Sequence, residues 1–497
     1  MSNMIRIDPG GGLWLLETKF RRLLVCLFFS AIGIVCLILQ FRNQLYIEGD
    51  TASYSWRMIL IAEGKILAPD NLWPLGWPLL ALPLFKIGIA PFYCFLILAI
   101  ISYVVLLWCN VEILYPNVGG IPVLISLLVI SLEPFFSQQV WFGMTDVPFC
   151  AVVAVLVLLC IRDVSIMNSI IVGTVASLAC HLRYAGLFLF VCVPVVQLFR
   201  CNSLKKGLVH IAITLMALFL LTTPIFIRNY IATNEMLLTK LPLHAASFLE
   251  AFILWVYNHF RAMYFVSYWL QFEIKSVGWV FLLIGVLGAG LAIGISFYLK
   301  KYQLIFVSFL IGAVYTGFMV LIKAPSDSRY VLPSMYLLLI WIITFLEVVK
   351  GKLPRLRFIL LVLLLTHAFV TCSYVLIRSY SFEKVANFDE GIIEFRKHRN
   401  VDDKKLVIET RSWGFFALVP DLIPITVDYD CPDYSLEKIQ SVGRAILLIT
   451  ASRGPKPDYK PVYNFWADVV EDWIKNYPDE FKLRYKGKWI ILVDHIG

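Results

Sequence analysis

"LLVCLFFSAIGIVCLILQ", residues 23–40, contains no charged residue, and "YIEGDTASYSW", residues 46–56, follows soon after it. A bilayer core takes about 20 mostly apolar residues per helix, so the first stretch reads as a membrane span. The second then sets Glu48 and Asp50 beside aromatic residues at a membrane edge. An acid at that edge costs little while it stays in water. Drawn toward the bilayer centre it costs roughly 2.5–3.5 kcal/mol. Asp50 is therefore either a solvated loop residue or a residue with a task.

Composition supports the membrane reading. Of 497 residues, 60% are hydrophobic and 15% are charged, whereas soluble domains carry about 25% charged residues. Mean hydropathy is +0.79. The chain reads as a polytopic membrane protein. In a soluble protein the net charge of +9 would suggest a nucleic-acid partner. Here Lys and Arg mark cytoplasmic helix ends and imply no nucleic acid. Of the 11 cysteines, only Cys431 lies in the long C-terminal stretch, and none forms a CxxC pair or a metal-ligand spacing. They read as small apolar side chains rather than a disulfide framework. No small-residue cleavage site clearly follows the first span, which reads as a retained helix.

On the same length rule, spans are expected near 23–40, 92–114, 121–138, 147–161, 168–182, 185–199, 207–226, 278–298, 303–322, 331–349 and 358–377, eleven in all. Residues 75–90 are apolar but carry Pro78, Pro83 and Lys86, and read as an interfacial or re-entrant helix. With the N-terminus inside, the inner loops hold Arg162, then Arg200, Lys205 and Lys206, then Lys300 and Lys301, then Lys350, Lys352, Arg355 and Arg357, a consistent cytoplasmic bias. Lys65, Arg183, Arg228, Lys323 and Arg329 stand singly on the outer side. Topology gives no reason for them, so they are candidates for function.

Eleven spans put the C-terminus outside. The expected fold class is an all-α polytopic membrane bundle, residues 1–378, with a small C-terminal extramembrane α/β domain, residues 379–497. In that domain "KLVIE" (405–409), "AILLIT" (445–450) and "WIILV" (489–493) read as buried strands, and "VYNFWADVVEDWIKNY" (462–477) has helical spacing.

The outer loops carry the chemistry. In the first, residues 41–91, "TASYSWRMILIAEGK" (51–65) reads as an amphipathic helix lying in the interface. "NLWPLGWPLLALP" (71–83) follows with two Trp at headgroup depth. An ordinary interfacial hairpin is the competing account. In "SQQVWFGMTDVPF" (137–149), Asp146 opens a span with Pro148 close behind, a pattern that helix capping also explains. "HLRYAG" (181–186) places Arg183 in a sharp break between two spans, and "IRNYIAT" (227–233) opens the fourth outer loop. "KAPSDSRYVLP" (323–333) puts Lys323, Asp327, Arg329 and Tyr330 into one turn, where a snorkelling Arg is the bland account. Taken together, acids and arginines converge on one face. Such a set suits a phosphorylated substrate, because arginines bind phosphate bidentately. A carboxylate can serve as general base toward an acceptor hydroxyl or amine.

Asp50 early in the first outer loop, Tyr54 four residues on, and "WPLGWPLL" (73–80) before a basic residue and the next span resemble the type C integral-membrane glycosyltransferases. The similar branch is bacterial, related to the protein O-mannosyltransferases and the aminoarabinose transferase of lipid A. "MTDVPF" (144–149), "LRYAG" (182–186), "PIFIRNY" (224–230) and "SRYVLP" (328–333) resemble that family's recurring segments, in order. Many members carry Asp-Glu at the first-loop site, whereas here Thr51 follows Asp50. The resemblance implies a bacterial cell membrane and transfer of a sugar, with inversion, from a polyprenyl-phosphate donor to a lipid, glycan or protein acceptor on the outer face. By the same resemblance Asp50 is the general base and Asp146 a second acid. Arg183 and Arg329 hold the donor phosphate, with Lys65 a weaker candidate. Tyr54, Tyr184, Arg228, Asp327 and Tyr330 complete the substrate-binding set, and an apolar groove takes the isoprenoid. Some branches of the family use a divalent metal ion, and a lipid-phosphate donor does not require one. The competing class is a secondary transporter or flippase of a lipid-linked or small anionic substrate. Such proteins often show internal repeats and polar residues at the bilayer midplane. Here the charges gather at helix ends.

The topology is checked by single cysteines placed in a background with the native cysteines replaced. A membrane-impermeant reagent added from outside is expected to label positions 234 and 460 and to spare position 352. Labelling of 352 alone inverts the orientation.

Overall fold

A computed structural model of the chain describes residues 14–41, 49–64, 66–67, 74–201, 203–233, 247–262, 274–299, 303–323, 328–381, 394–400, 403, 405–409, 423–427, 436–437, 439–441, 443–450, 470–486 and 490–496. Long apolar runs satisfy their own backbone groups as helices, the solution a bilayer demands. In chain order these are α1 (Lys19–Phe41), α2 (Gly49–Ala62), α3 (Gly76–Lys86), α4 (Pro91–Val118), α5 (Gly120–Leu132), α6 (Pro134–Trp141), α7 (Asp146–Cys160) and α8 (Ile166–Leu182). They continue as α9 (Leu189–Arg200), α10 (Leu204–Thr233), α11 (Phe248–Ala262), α12 (Ile274–Tyr298), α13 (Gln303–Leu321), α14 (Leu332–Val349) and α15 (Pro354–Ser381). Two compact units form. One comprises residues 1–38, 67–77 and 97–376, and the other residues 39–66, 78–96 and 377–497.

Among the described residues, six helices are long and apolar enough to cross a membrane, and seven if α5 and α6 count as one bent span. Those two meet at 53°. Pro134 explains the bend, because it lacks an N–H and drives the preceding residue out of helical geometry. Glu133 accordingly sits at φ −71°, ψ 112°. The segments read as spans at 147–161, 168–182, 185–199 and 278–298 form shorter apolar helices, Asp146–Cys160, Ile166–Leu182, Tyr184–Arg200 and Leu282–Tyr298. A helix of that length rises roughly 25 Å, less than the roughly 30 Å of a hydrocarbon core. The count of eleven thus rests partly on helices shorter than the length rule requires.

Within the first unit, small residues let helices meet. A Cβ added at Gly173 of α8 would lie 2.5 Å from the Thr214 carbonyl oxygen of α10, so the two backbones touch. Basic residues at helix ends, Lys350 and Arg357 of the expected inner loops among them, are also ion-paired. Arg22 meets Glu112 at 2.9 Å and Arg357 meets Glu347 at 3.0 Å.

The second unit contains a five-stranded sheet of β1 (Lys405–Glu409), β2 (Ile423–Val427), β3 (Ala445–Thr450), β4 (Phe481–Lys486) and β5 (Ile490–His495), in the order β2-β1-β3-β5-β4. β1 runs parallel to β2 and β3, whereas β5 runs antiparallel to β3 and β4. Val407, Leu447, Ile491 and Val493 form the core with Val470, Trp473 and Phe481. Three of these strands follow the apolar runs read from sequence. β2 and β4 do not announce themselves, because β2 carries Pro424 and β4 alternates charge ("FKLRYK") on a partly exposed edge. The helix expected at 462–477 is described over 470–476. In α2, Arg57 is only 3% exposed. The charged position read as the wet face of an interfacial helix is therefore inside the fold.

Arg484 joins the edge strand to its neighbours. Its guanidinium bonds both oxygens of Asp403 at 2.6 and 3.1 Å, and it also pairs with Asp494. Burial works against the Arg484 charge, but the bonds and charges of Asp403 and Asp494 outweigh it and hold the guanidinium above its ordinary value. Arg484→Met leaves two carboxylates with no cation between them. It is expected to lower the opening free energy of the sheet by about 3 kcal/mol, read as lost hydrogen-exchange protection at 405–409 and 490–495 in the full-length chain. Unchanged protection would make the cluster a surface pair of little weight.

Candidate active site

α7 begins at Asp146, which is 1% exposed. Thr145 occupies the N-cap and makes no side-chain cap bond. The capping account of Asp146 therefore gives way to another role for the carboxylate. It forms an ion pair and hydrogen bond with Arg183. The turn before it is fixed by a distant residue, for Trp77 Nε1 donates to the Gly143 carbonyl at 3.0 Å. Gly143 itself has φ +63°, a conformation glycine adopts without steric cost.

Arg183 is the extended residue (φ −150°, ψ 139°) between α8 and a short 3₁₀ turn, Tyr184–Phe188. Gly186 lets that turn fold back on α8, since a Cβ there would lie 2.6 Å from Ala179 and Cys180 backbone atoms. Gly76 is likewise closed against the His181 carbonyl. His181 Nε2 donates to the Leu221 carbonyl of α10 at 2.9 Å.

The guanidinium of Arg183 also lies over the Tyr330 ring, 4.6 Å from its centroid, and that of Arg329 lies 5.2 Å from the same centroid. One ring thus serves two cations. The Tyr330 carbonyl accepts from the Tyr315 hydroxyl at 2.8 Å. Tyr315 in turn packs against Phe149, Phe188 and Trp255, with centroid separations of 6.1, 5.2 and 5.8 Å. Beside this cluster, Asn229 of α10 donates to the Tyr184 hydroxyl at 2.9 Å and accepts from Arg228 at 3.0 Å.

The structure therefore brings together Asp146, Arg183, Arg329 and Tyr330, with Tyr184 and Arg228 joined through Asn229. Asp50 is the second residue of α2, and its side chain lies outside the described residues, as do Lys65 and Asp327 entirely. Tyr54 is 2% exposed and packs on Phe95 at 6.1 Å within the other unit. Tyr315, Asn229, His259 and Ser334 were not read from the sequence. Tyr315 sits within an apolar span, His259 and Ser334 lie on helices with nothing in their neighbours to mark them, and Asn229 lies inside the quoted segment "PIFIRNY" (224–230) without having been picked out of it. Among the described residues no three His, Cys, Asp or Glu side chains come close enough to hold a metal ion.

This is the fold of the type C integral-membrane glycosyltransferases. The chain is similar to ArnT from Cupriavidus metallidurans bound to undecaprenyl phosphate, with TM-score 0.58 and 11% identity over 95% of this chain and 98% of that one. It is similar to the apo state of the same enzyme at TM-score 0.56 and 11% identity, over 94% and 97% of the two chains. No family profile matches the sequence, and no curated protein matches it.

His259, on α11, packs behind the cluster. Its Nδ1–H donates to the Trp255 carbonyl at 2.9 Å, and Nε2 lies 2.7 Å from the Ser334 hydroxyl. Burial pushes the imidazole down to about 4, below its ordinary value of about 6.5. A depressed value means the neutral ring belongs to the fold and the unfolded chain takes the proton first. The stability is complete above about pH 6.5 and is lost as pH falls toward 4. Between pH 7 and pH 5 the parent is expected to lose about 2 kcal/mol from this group. His259→Gln removes that loss, so thermal melts in detergent should show a flatter pH dependence than the parent. Parallel curves would mean that the ring protonates without opposition.

Proposed function

We propose that the chain transfers a sugar from a polyprenyl-phosphate-linked donor to an acceptor on the outer face of a bacterial cell membrane. The observation that carries this reading is the buried Asp146–Arg183 pair with Arg329 and Tyr330 at a helix-end cluster of a type C glycosyltransferase fold. Cations beside aromatic rings suit a phosphate joined to an apolar chain. The similarity to an enzyme bound to undecaprenyl phosphate supports the donor class.

In this mechanism Arg183 and Arg329 hold the donor phosphate, with Arg228 and Lys65 at its margin. Asp146 fixes the direction of the Arg183 guanidinium and offsets its charge in the free enzyme. The acceptor oxygen or nitrogen attacks the anomeric carbon from the face opposite the phosphate. The carbon–oxygen bond to phosphate breaks, and the sugar inverts. Asp50 takes the acceptor proton as the new bond forms. The departing polyprenyl phosphate gains negative charge, which the guanidinium groups stabilise. Tyr54, Tyr184, Asp327 and Tyr330 line the sugar and phosphate. The acceptor is a lipid, a glycan or a protein, and the N-terminus is cytoplasmic with the C-terminal domain outside.

The test is transfer of a labelled sugar from a polyprenyl-phosphate donor in membranes with matched protein levels. Asp50→Asn keeps the size and removes the base, so donor binding should survive while turnover falls by about 10²–10⁴. Arg183→Ala should weaken donor binding by roughly 1.5–3 kcal/mol. Near-parental transfer by the Asp50→Asn enzyme ends the proposed mechanism.

A further inference from the structure

At the far end of the same helices sits a second cationic group that the proposed reaction does not use. α7 runs from Asp146 to Cys160, and α9 ends at Arg200. One helix length, roughly 22 Å, separates this end from the Asp146–Arg183 pair.

The Arg200 guanidinium is enclosed. None of its three nitrogens has a hydrogen-bond partner among the described residues. One turn earlier Gln197 is 0% exposed, and both ends of its amide are equally without partners. Other half-buried cations of this unit are treated differently, since Arg22 is matched by Glu112 and Arg357 by Glu347. Carbonyls at the end of α7 take donors other than Arg200. The Cys160 carbonyl takes the Gln303 amide at 3.1 Å, and the Leu159 carbonyl takes Asn168 at 3.3 Å. Asp163 is exposed and makes no ion pair with Arg200 among the described residues.

An enclosed guanidinium with no acceptor is costly, and an anion that enters removes the cost. The rim selects for an anion as well. A Cβ at Gly207 would lie 3.3 Å from Leu198 and 3.5 Å from Cys201, so the first turn of α10 closes against the last turn of α9. That turn presents exposed Lys205 and Lys206, whose ammonium groups favour an anion, while Ser203 takes the Lys206 and Gly207 N–H groups at 3.3 and 3.0 Å. Large apolar side chains of the same unit, Leu198, Leu204 and Leu208, are exposed around it.

We infer that Arg200 and Gln197, rimmed by Lys205 and Lys206, bind a phosphate group, that of an anionic lipid headgroup whose chains lie along the exposed leucines. Basic recesses between membrane helices recognise lipid headgroups in this way. Arg200 supplies a fork of donors to two phosphate oxygens, and the Gln197 amide donates to a third. The site is distinct from the donor site proposed above, so lipid there would steady the bundle without taking part in transfer.

The experiment uses the delipidated full-length chain in neutral detergent. Its thermal midpoint is followed while phosphatidylglycerol, a phosphate-free glucosyldiacylglycerol of the same chains, or inorganic phosphate is added. Phosphatidylglycerol should raise the midpoint and the phosphate-free lipid should not. Arg200→Gln should move the half-saturating concentration up by about ten- to a hundredfold, Gln197→Leu should move it up several-fold, and exposed Arg162→Gln should leave it in place. If inorganic phosphate alone reproduces the shift and the lipid adds nothing, the site stands but its ligand is free phosphate. If Arg200→Gln does not fold, Gln197→Leu decides. Equal responses of parent and variants, or of both lipids, overturn the site.

Discussion

The first unit is organised around one carboxylate and one guanidinium that meet inside an apolar bundle. Neither Asp146 nor Arg183 is affordable there alone, because an isolated buried charge is costly in a low dielectric and the pair is tolerable only when its geometry is good. That requirement propagates outward. α7 has to begin where it does, so the turn at Gly143 is fastened by Trp77. α8 has to stop one residue before the arginine, so the chain leaves helical geometry there and Gly186 allows the turn to fold back. The Tyr330 ring has to lie under the cation, so its carbonyl is tied to Tyr315. Much of the local architecture can be read as what keeps that ion pair in register.

The same pairing changes how the cations are to be understood. An arginine held only by a helix end would be free to snorkel. Arg183 instead has its direction set by a carboxylate on one side and a ring on the other. A guanidinium fixed in that way has little conformational freedom left to lose on meeting any further partner. Arg329 lies at the same ring, so Tyr330 is a contact common to both cations.

Membrane helices were legible because their signal is dense: a run such as 23–40 excludes water-exposed alternatives over its whole length. Arg183 and Arg329 drew notice for a related reason, since the expected topology gave no reason for a cation at either position. What was not legible depended on tertiary closeness. Nothing in "VSFLIGAVYTGF" (307–318) distinguishes Tyr315 from any core aromatic until its hydroxyl is seen on the Tyr330 carbonyl. His259 acquires its meaning from Ser334, 75 residues away. The amphipathic reading of α2 failed at Arg57 because periodicity reports that a face is polar, not whether another part of the chain covers it. The β4 edge strand was hidden because charged residues interrupt it, with Lys482 and Lys486 exposed and Arg484 drawn in by Asp403 and Asp494.

The order of the sheet has a bearing on how the second unit comes into being. β5 is last of the five strands in chain order, yet it lies between β3 and β4, with a partner on each side. The strands made before it can form only a parallel trio and a detached edge, β4 having no partner until β5 arrives. Assembly is thus a closing step rather than a zippering from one end. During synthesis the side of β3 that will receive β5 is an open template, and any delay in delivering residues 490–495 lengthens the time that template is offered to another chain. If the unit is exported across a membrane as it is made, its last strand would be what turns a sticky intermediate into a finished surface.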